Sequence, residues 1–209
     1  DVSGSFQRIQ ISMDSFGRAP ADVADAYIMY SVCKASKSLA GAPPNRLLDS
    51  AKHLVERLVK GSQSSDAYVM GLVTGVTQSC GFSGDRELLK LLKLQREDGS
   101  FQAKASITMS GEKDRAAEAT ALALMAMTEK LSTGEKVMKD LDGSVVNLEV
   151  MAAKTLQFLG KQSVNGRYGA TQSTVLTLEA VLRFREYEAT DAPSGLFHVE
   201  MKDLSTGKE

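Results

Sequence analysis

The chain is poor in the residues that most often carry chemistry. Among 209 residues it has two cysteines, two histidines and no tryptophan. Two cysteines cannot build a disulfide-rich scaffold. His53 and His198 lie far from both cysteines in sequence, so a zinc site is not expected. No window approaches the run of about eighteen apolar residues that a membrane span requires, so we expect no membrane span.

The net charge of the chain is also close to zero. The 25 basic and 26 acidic residues leave a net charge of −1. General nucleic-acid binding requires a basic face that neutralises phosphates, so we do not expect this class of function.

The two cysteines and the first residue leave the cellular compartment open. A bridge between Cys33 and Cys80 is one interpretation. We favour the other, two buried free thiols, because an unpaired cysteine behaves as a small apolar residue. The chain begins with Asp1 and shows no signal peptide, so we expect a piece of a longer protein.

Apolar residues recur at helical spacing almost throughout, which predicts an all-α fold. The predicted helices cover residues 22–38, 45–60, 65–79, 83–96, 113–130, 146–159 and 171–188. We expect Asn45 and Ser65 to cap the second and third helices, and Gly61 to follow the end of the second. Beyond a breaker at 191–195, residues 196–201 predict a strand, which a turn at 205–207 would extend into a hairpin.

Two of these helices have the composition of central helices. The third contains Gly71 and Gly75, four residues apart, and each glycine costs about 1 kcal/mol relative to alanine in a helix. Close approach of a neighbouring helix would offset that cost. The fifth is apolar nearly all round over 116–127, which is typical of a helix surrounded by protein.

An internal repeat organises the chain. Gly4-Ser5-Phe6-Gln7 recurs as Gly99-Ser100-Phe101-Gln102, and residues 165–172 form a looser third copy. Each copy of this glycine–aromatic loop leads into an apolar helix, and a more amphipathic helix follows the first two. Such units cannot bury their apolar faces alone, so they stack or close into a ring. The repeat therefore predicts a partial α/α toroid of about seven helices with a short β strand or hairpin at the C-terminus.

Three segments resemble a known family. The segment 165–181, with Tyr168-Gly169-Ala170-Thr171-Gln172 at its centre, is similar to the last-helix signature of the thioester domain in the α2-macroglobulin/complement family. Residues 118–124 resemble the preceding inner helix of that domain, and residues 14–27 resemble its mid-domain loop and helix. The resemblance implies a partial thioester-type domain at 1–190, and a β segment at 191–209 that leads into a following β domain.

The chain departs from the reactive members of this family. Their thioester forms within a Cys-Gly-Glu-Gln segment, but Cys33 is followed by Lys-Ala-Ser and Cys80 by Gly-Phe-Ser. The loop that holds the family's reactive histidine reads Ile11-Ser12-Met13-Asp14 here. We therefore predict no catalytic, thioester, cofactor-binding or metal-binding residue in this chain.

The resemblance implies a non-catalytic part of an α2-macroglobulin-like protein, which traps proteases or tags surfaces and is extracellular or at the cell surface. Its partners would be the remaining domains of the parent protein, and proteases or cell surfaces. We expect an exposed apolar edge where further helices dock.

Two alternatives come from other classes. An isoprenoid-type toroid enzyme, prenyltransferase or terpene cyclase-like, would need a zinc site or an aspartate-rich motif facing a cavity. Asp22 and Asp25 are better explained as favourable charges at a helix start, and 139–143 as a loop turn. The other alternative is a helical-repeat binding module.

Overall fold

The computed structural model describes residues 5–6, 19–39, 44–61, 65–140 and 142–191. Over these ranges the chain forms seven α-helices and one two-stranded antiparallel hairpin, which confirms the predicted all-α class. The elements are α1 (Ala21–Leu39), α2 (Asn45–Lys60), α3 (Ala67–Ser79), α4 (Asp85–Leu92), α5 (Glu112–Leu131), β1 (Val137–Lys139), β2 (Val145–Asn147), α6 (Leu148–Gln162) and α7 (Thr171–Asp191). The predicted C-terminal strand at 196–201 lies outside the described residues. Within those residues, no helix is long and apolar enough to cross a membrane.

The odd-numbered helices pack side by side in chain order. Helix α1 packs on α3, α3 on α5, and α5 on α7. The contacts advance in the same direction along α1 and α3, because Tyr30 lies against Gly75 and Cys33 is bonded to Cys80 further along both. These four helices form a parallel layer. Helices α2 and α4 cover α3, and α6 covers α5. Closure of these helices into the predicted α/α toroid stays a prediction.

The centre of the parallel layer is α3 and α5. Every residue of α5 from Ala116 to Thr128 is buried, as its all-round apolar sequence predicts. A Cβ added to Gly71 would lie 2.8 Å from the Leu122 Cβ, and one added to Gly75 would lie 2.6 Å from the Tyr30 ring. The two glycines therefore permit the close helix contact that their spacing predicted.

Two predicted helix caps are wrong. Helix α2 is capped by Pro44, whose carbonyl accepts from the amides of Leu47 and Leu48, and no side chain caps it. Asp66, and not Ser65, caps α3, and its Oδ1 accepts from two backbone amides at 2.9 and 3.2 Å. A carboxylate accepts these bonds and also places negative charge at the positive helix end, which a serine hydroxyl does not.

Two predicted helix bounds also change. The helix predicted at 83–96 ends at Leu92, because the chain then turns, with Gly99 at φ 86° and the Arg96 amide donating to the Ser100 carbonyl. The helix predicted from 146 begins at 148, because β2 pairs with β1 in a hairpin that the sequence reading missed. The predicted turn at 139–143 lies at the tip of this hairpin.

The cysteines form a bridge, so the free-thiol interpretation is wrong. Cys33 on α1 and Cys80, directly after α3, are disulfide-bonded, with their Cα atoms 5.3 Å apart. The parallel packing of α1 on α3 places both residues at the same level, within the Cα separation that a disulfide needs.

Candidate functional site

Two of the three segments that carry the family resemblance, 118–124 and 165–181, meet where α5 and α7 begin. We call this place the α5–α7 junction and define it by Ser110, Asp114, Glu118, Gly169 and Ser173. Glu118 is fully buried, and its Oε1 accepts from the Ser110 hydroxyl at 2.7 Å and the Ser173 hydroxyl at 3.0 Å. Its carboxylate thus joins the loop before α5, α5 itself and the first turn of α7.

The negative charge beside the amino end of α7 comes from side chains of α5. Its own first turn has no acidic residue, whereas α1 and α5 carry acids there. The Asp114 carboxylate lies beside Gly169, two residues before α7, and Glu118 accepts from Ser173. Carboxylates near a helix N-terminus are stabilising. Asp114 and Glu118 of α5 therefore take the place of the acidic residue that the first turn of α7 lacks.

Position 169 favours glycine. Its φ is +100°, in the left-handed region, and a Cβ there would lie 2.0 Å from the Asp114 Oδ1. The backbone conformation disfavours a larger residue, and a Cβ would also displace the Asp114 carboxylate. The glycine of the resembling segment therefore allows the α7 entry loop to approach α5.

The second glycine–aromatic loop is fixed between α5 and α6. Phe101 is fully buried, and its amide donates to the Thr120 hydroxyl at 3.0 Å. Gly99 has φ +86°, and a Cβ there would lie 2.3 Å from the Lys154 carbonyl oxygen. Hydrogen bonds from the Ser100 hydroxyl and amide hold the pKa of Asp98 below its ordinary value. The motif thus positions a loop against two helices.

The predicted acidic pair is engaged with a cation. Arg57 of α2 pairs with Asp22 and, at 3.0 Å, with Asp25 of α1. Asp25 also accepts from the Phe6 amide at 3.1 Å. Asp22 lies in the first turn of α1, as the dipole interpretation expected. The two carboxylates therefore join α1 to α2 and to the first glycine–aromatic loop.

The remaining candidates from the sequence do not come together. His53 is exposed on α2, and His198 lies outside the described residues. Among the described residues, no group of three or more His, Cys, Asp or Glu side chains is arranged to hold a metal ion. Glu118 was seen in the sequence only as part of a motif. A charged residue within an otherwise apolar helix is the signal that identifies it.

The space enclosed by the parallel layer is small. A cavity of about 20 Å³ lies among the four helices of that layer, with Tyr30, Gly75, Leu122 and Arg183 in its wall. This volume holds about one water molecule. Burial raises the pKa of Tyr30 to about 12. The cavity therefore has no room for an isoprenoid chain.

An apolar surface runs along the two helices at the ends of the parallel layer. We call it the α1–α7 face, formed by Ile28, Val32, Val175, Leu178 and Leu182, whose side chains are 37–61% exposed. Valine and leucine at 175, 178 and 182 lie on the side of α7 opposite its buried residues. Both helices therefore expose apolar side chains, and that these form the predicted docking edge stays a prediction. The sequence pattern did not show which stripe of α7 faces outward.

Polar contacts join the two helices beneath this face. Lys34 of α1 pairs with Glu179 of α7, and the Gln172 side chain donates to the Tyr27 hydroxyl at 3.4 Å. Although burial favours the neutral carboxyl, Lys34 and Arg183 outweigh it and hold the pKa of Glu179 below its ordinary value.

Comparison of the chain with protein-family models, with curated proteins and with solved structures finds no match. The likeness to the thioester domain therefore rests on the segments quoted above.

Proposed function

We propose that this chain is the carboxy-terminal portion of a thioester-type α/α toroid in an α2-macroglobulin-like protein, where it acts as a non-catalytic scaffold. The parent protein would trap proteases or tag surfaces, and this part would transmit its rearrangement through contacts with the remaining domains. The observation that carries the proposal is the α1–α7 face. It places exposed apolar side chains on the outward sides of α1 and α7, where further helices of a toroid would pack.

Covering the α1–α7 face with a partner would be favourable. Each Å² of apolar surface that the partner removes from water would stabilise the contact by about 25 cal/mol. Exposed apolar surfaces of this kind mark interaction sites. The stripe on α7 has the spacing of helix-to-helix packing, because residues 175, 178 and 182 fall on one side of two turns.

The disulfide supports the proposed location. Bonds of this kind form and persist in oxidising compartments. The Cys33–Cys80 bridge therefore favours an extracellular or cell-surface parent protein, as the family resemblance implies.

The proposal is tested by binding of a solvatochromic dye to the isolated chain. We expect strong dye fluorescence from the intact chain and a large decrease in the double variant Leu178→Gln/Leu182→Gln. Val164→Gln is the matched control, because Val164 is 62% exposed but lies off the α1–α7 face. Weak dye binding by the intact chain would contradict the proposal.

Hydrogen exchange then separates the scaffold from a stand-alone binding module. We expect the amides of α7 to exchange more slowly in the full-length parent protein than in the isolated chain, because the parent covers the face. Equal exchange rates in the two would instead favour a module that binds a separate partner.

A further inference from the structure

A cleft of about 560 Å³ lies beside the amino end of α5 and the turn between α6 and α7. We call it the Lys113–Arg167 cleft. Its walls are formed by Lys113, Gln162, Val164, Asn165, Arg167 and Gly169. The cleft is open to solvent, since its lining residues are exposed apart from the half-buried Gln162, and its volume is sufficient for a small ligand.

The turn that forms one wall is fixed by backbone hydrogen bonds. The Val164 amide donates to the Arg167 carbonyl at 2.9 Å, and the Arg167 amide donates back at 3.0 Å. Asn165 and Gly166 between them have φ of 52° and 75°, the left-handed pair of a tight two-residue turn. Arg167 and the Asn165 amide are therefore presented from an ordered segment.

The two cations of the cleft are not engaged within the part of the chain that the structure describes. Among the described residues, neither the Lys113 ammonium nor the Arg167 guanidinium has a side-chain hydrogen bond or an ion pair. The neighbouring Arg115, in contrast, donates to the carbonyls of Ala103 and Ser110. The acids on either side of Lys113 in the sequence are Glu112, exposed in the first turn of α5, and Asp114, whose carboxylate lies beside Gly169.

We infer that this cleft binds a sugar-sized ligand that carries a sulfate or phosphate group. A tetrahedral oxyanion has at least three acceptor oxygens, which can take bonds at once from an ammonium, a guanidinium and a side-chain amide. The cleft is larger than the anion alone, and Val164 adds an apolar contact for the rest of the ligand. This inference is independent of the proposed function, because it uses none of the α1–α7 face.

NMR titration of the isotope-labelled chain tests the inference. The probes are a sulfate ester of glucose, a phosphate ester of glucose, inorganic phosphate and glucose itself. We expect both esters to shift the backbone amides of Asn165, Gly166 and Gly169, glucose to shift none, and inorganic phosphate to bind more weakly than the esters. The relative affinity of the two esters distinguishes a sulfated from a phosphorylated ligand.

Variants establish whether the cleft itself binds. Lys113→Ala and Arg167→Ala should each weaken ester binding about tenfold, the loss expected for one hydrogen bond to a charged group. Lys161→Ala is the matched control, because it removes a cation in the last turn of α6 that does not line the cleft. The amide spectrum of each variant reports whether it is folded.

Three results would overturn the inference. The first is the absence of ester-induced shifts at these amides up to millimolar concentration. The second is equal weakening by Lys161→Ala, which would show that net charge alone attracts the ester. The third is binding of inorganic phosphate as tightly as either ester, which would show that the site does not recognise a sugar-sized ligand.

Discussion

Glu118 is a carboxylate within α5, where every residue from Ala116 to Thr128 is buried. Its Oε1 accepts two hydroxyl hydrogen bonds, while its Oε2 is buried without a hydrogen-bond partner among the described residues. A buried acceptor that satisfies two donors from separate segments specifies how those segments meet. The unpaired oxygen therefore carries a desolvation cost at the α5–α7 junction, where a loop and two helices meet.

Two replacements of Glu118 should distinguish the loss of its hydrogen-bond acceptor from the loss of its side-chain volume. Glu118→Ala leaves the hydroxyls of Ser110 and Ser173 without their acceptor and leaves a cavity, so we expect the free energy of unfolding to fall by about 2–4 kcal/mol. Glu118→Gln keeps a carbonyl acceptor and should cost about 1 kcal/mol. Urea denaturation at neutral pH measures both, with Glu97→Ala on the exposed loop as the control. Equal losses for Gln and Ala would contradict an acceptor role.

The glycines of α3 make a prediction about how elements pack. Gly71→Ala and Gly75→Ala gain about 1 kcal/mol of helix propensity, but each Cβ would overlap Leu122 or Tyr30. Overpacking costs about 1–3 kcal/mol, so we expect both variants to be less stable in urea denaturation. Gly160→Ala on α6 is the matched control. Its Cβ meets nothing within 4 Å, so this variant should be more stable, and a stabilising Gly75→Ala would refute the close contact.

The link between α1 and α7 predicts a dependence on pH. Glu179 has a lowered pKa because Lys34 and Arg183 outweigh its burial. A lowered carboxyl pKa contributes stability at neutral pH, and this stability is lost as the pH falls below the ordinary value of about 4. Since the side chain is partly exposed, the contribution is about 1 kcal/mol or less.

Glu179→Gln removes this contribution and should flatten the acid side of the stability curve. Urea denaturation from pH 7 to pH 3 is the measurement, and the difference between the intact chain and the variant should shrink toward low pH. Glu188→Gln, which alters an exposed pair with Arg185, should leave the acid slope unchanged. An unchanged slope in Glu179→Gln would count against the ion pair between α1 and α7.

The existence of the seven helices, though not that of the β1–β2 hairpin, followed from the sequence because apolar spacing is a local signal. The bounds of α2 were predicted correctly, and those of α1, α5 and α7 to within three residues. The helix ends that depend on contacts with distant segments of the chain were not predicted. Helix α6 begins late because its predicted first residues pair with β1, and Asp66 caps α3 while its Oδ2 also accepts from the Lys104 amide. The α5–α7 junction was visible only as separate motifs, since its contacts join residues about 55 apart.

Over the described residues, the molecule is a parallel layer of four helices covered by three others, and the disulfide joins two helices of that layer. The pairing of Cys33 with Cys80 depends on the register of α1 against α3, which no local pattern records. That is why a count of two cysteines left both interpretations open. The bond closes a loop with a sequence separation of 47 residues, and it ties the first helix of the layer to the end of the next.

Loss of this bond should lower the stability of the entire chain. For a loop of this length, the restriction of the unfolded chain is worth about 4 kcal/mol. That is a large fraction of the roughly 5–15 kcal/mol that holds a typical domain together. We therefore expect a large decrease in the urea midpoint of the double variant Cys33→Ala/Cys80→Ala, and a similar decrease for the intact chain under reducing conditions.

The comparison of the two samples is itself the control. The reduced chain retains both sulfur atoms, whereas the alanine variant also loses their packing volume, so the variant should be the less stable of the two by about 1 kcal/mol. Thiol titration of the oxidised chain in denaturant should detect no free thiol. Two reactive thiols in that titration, or equal urea midpoints with and without reductant, would show that the layer holds together without the bond.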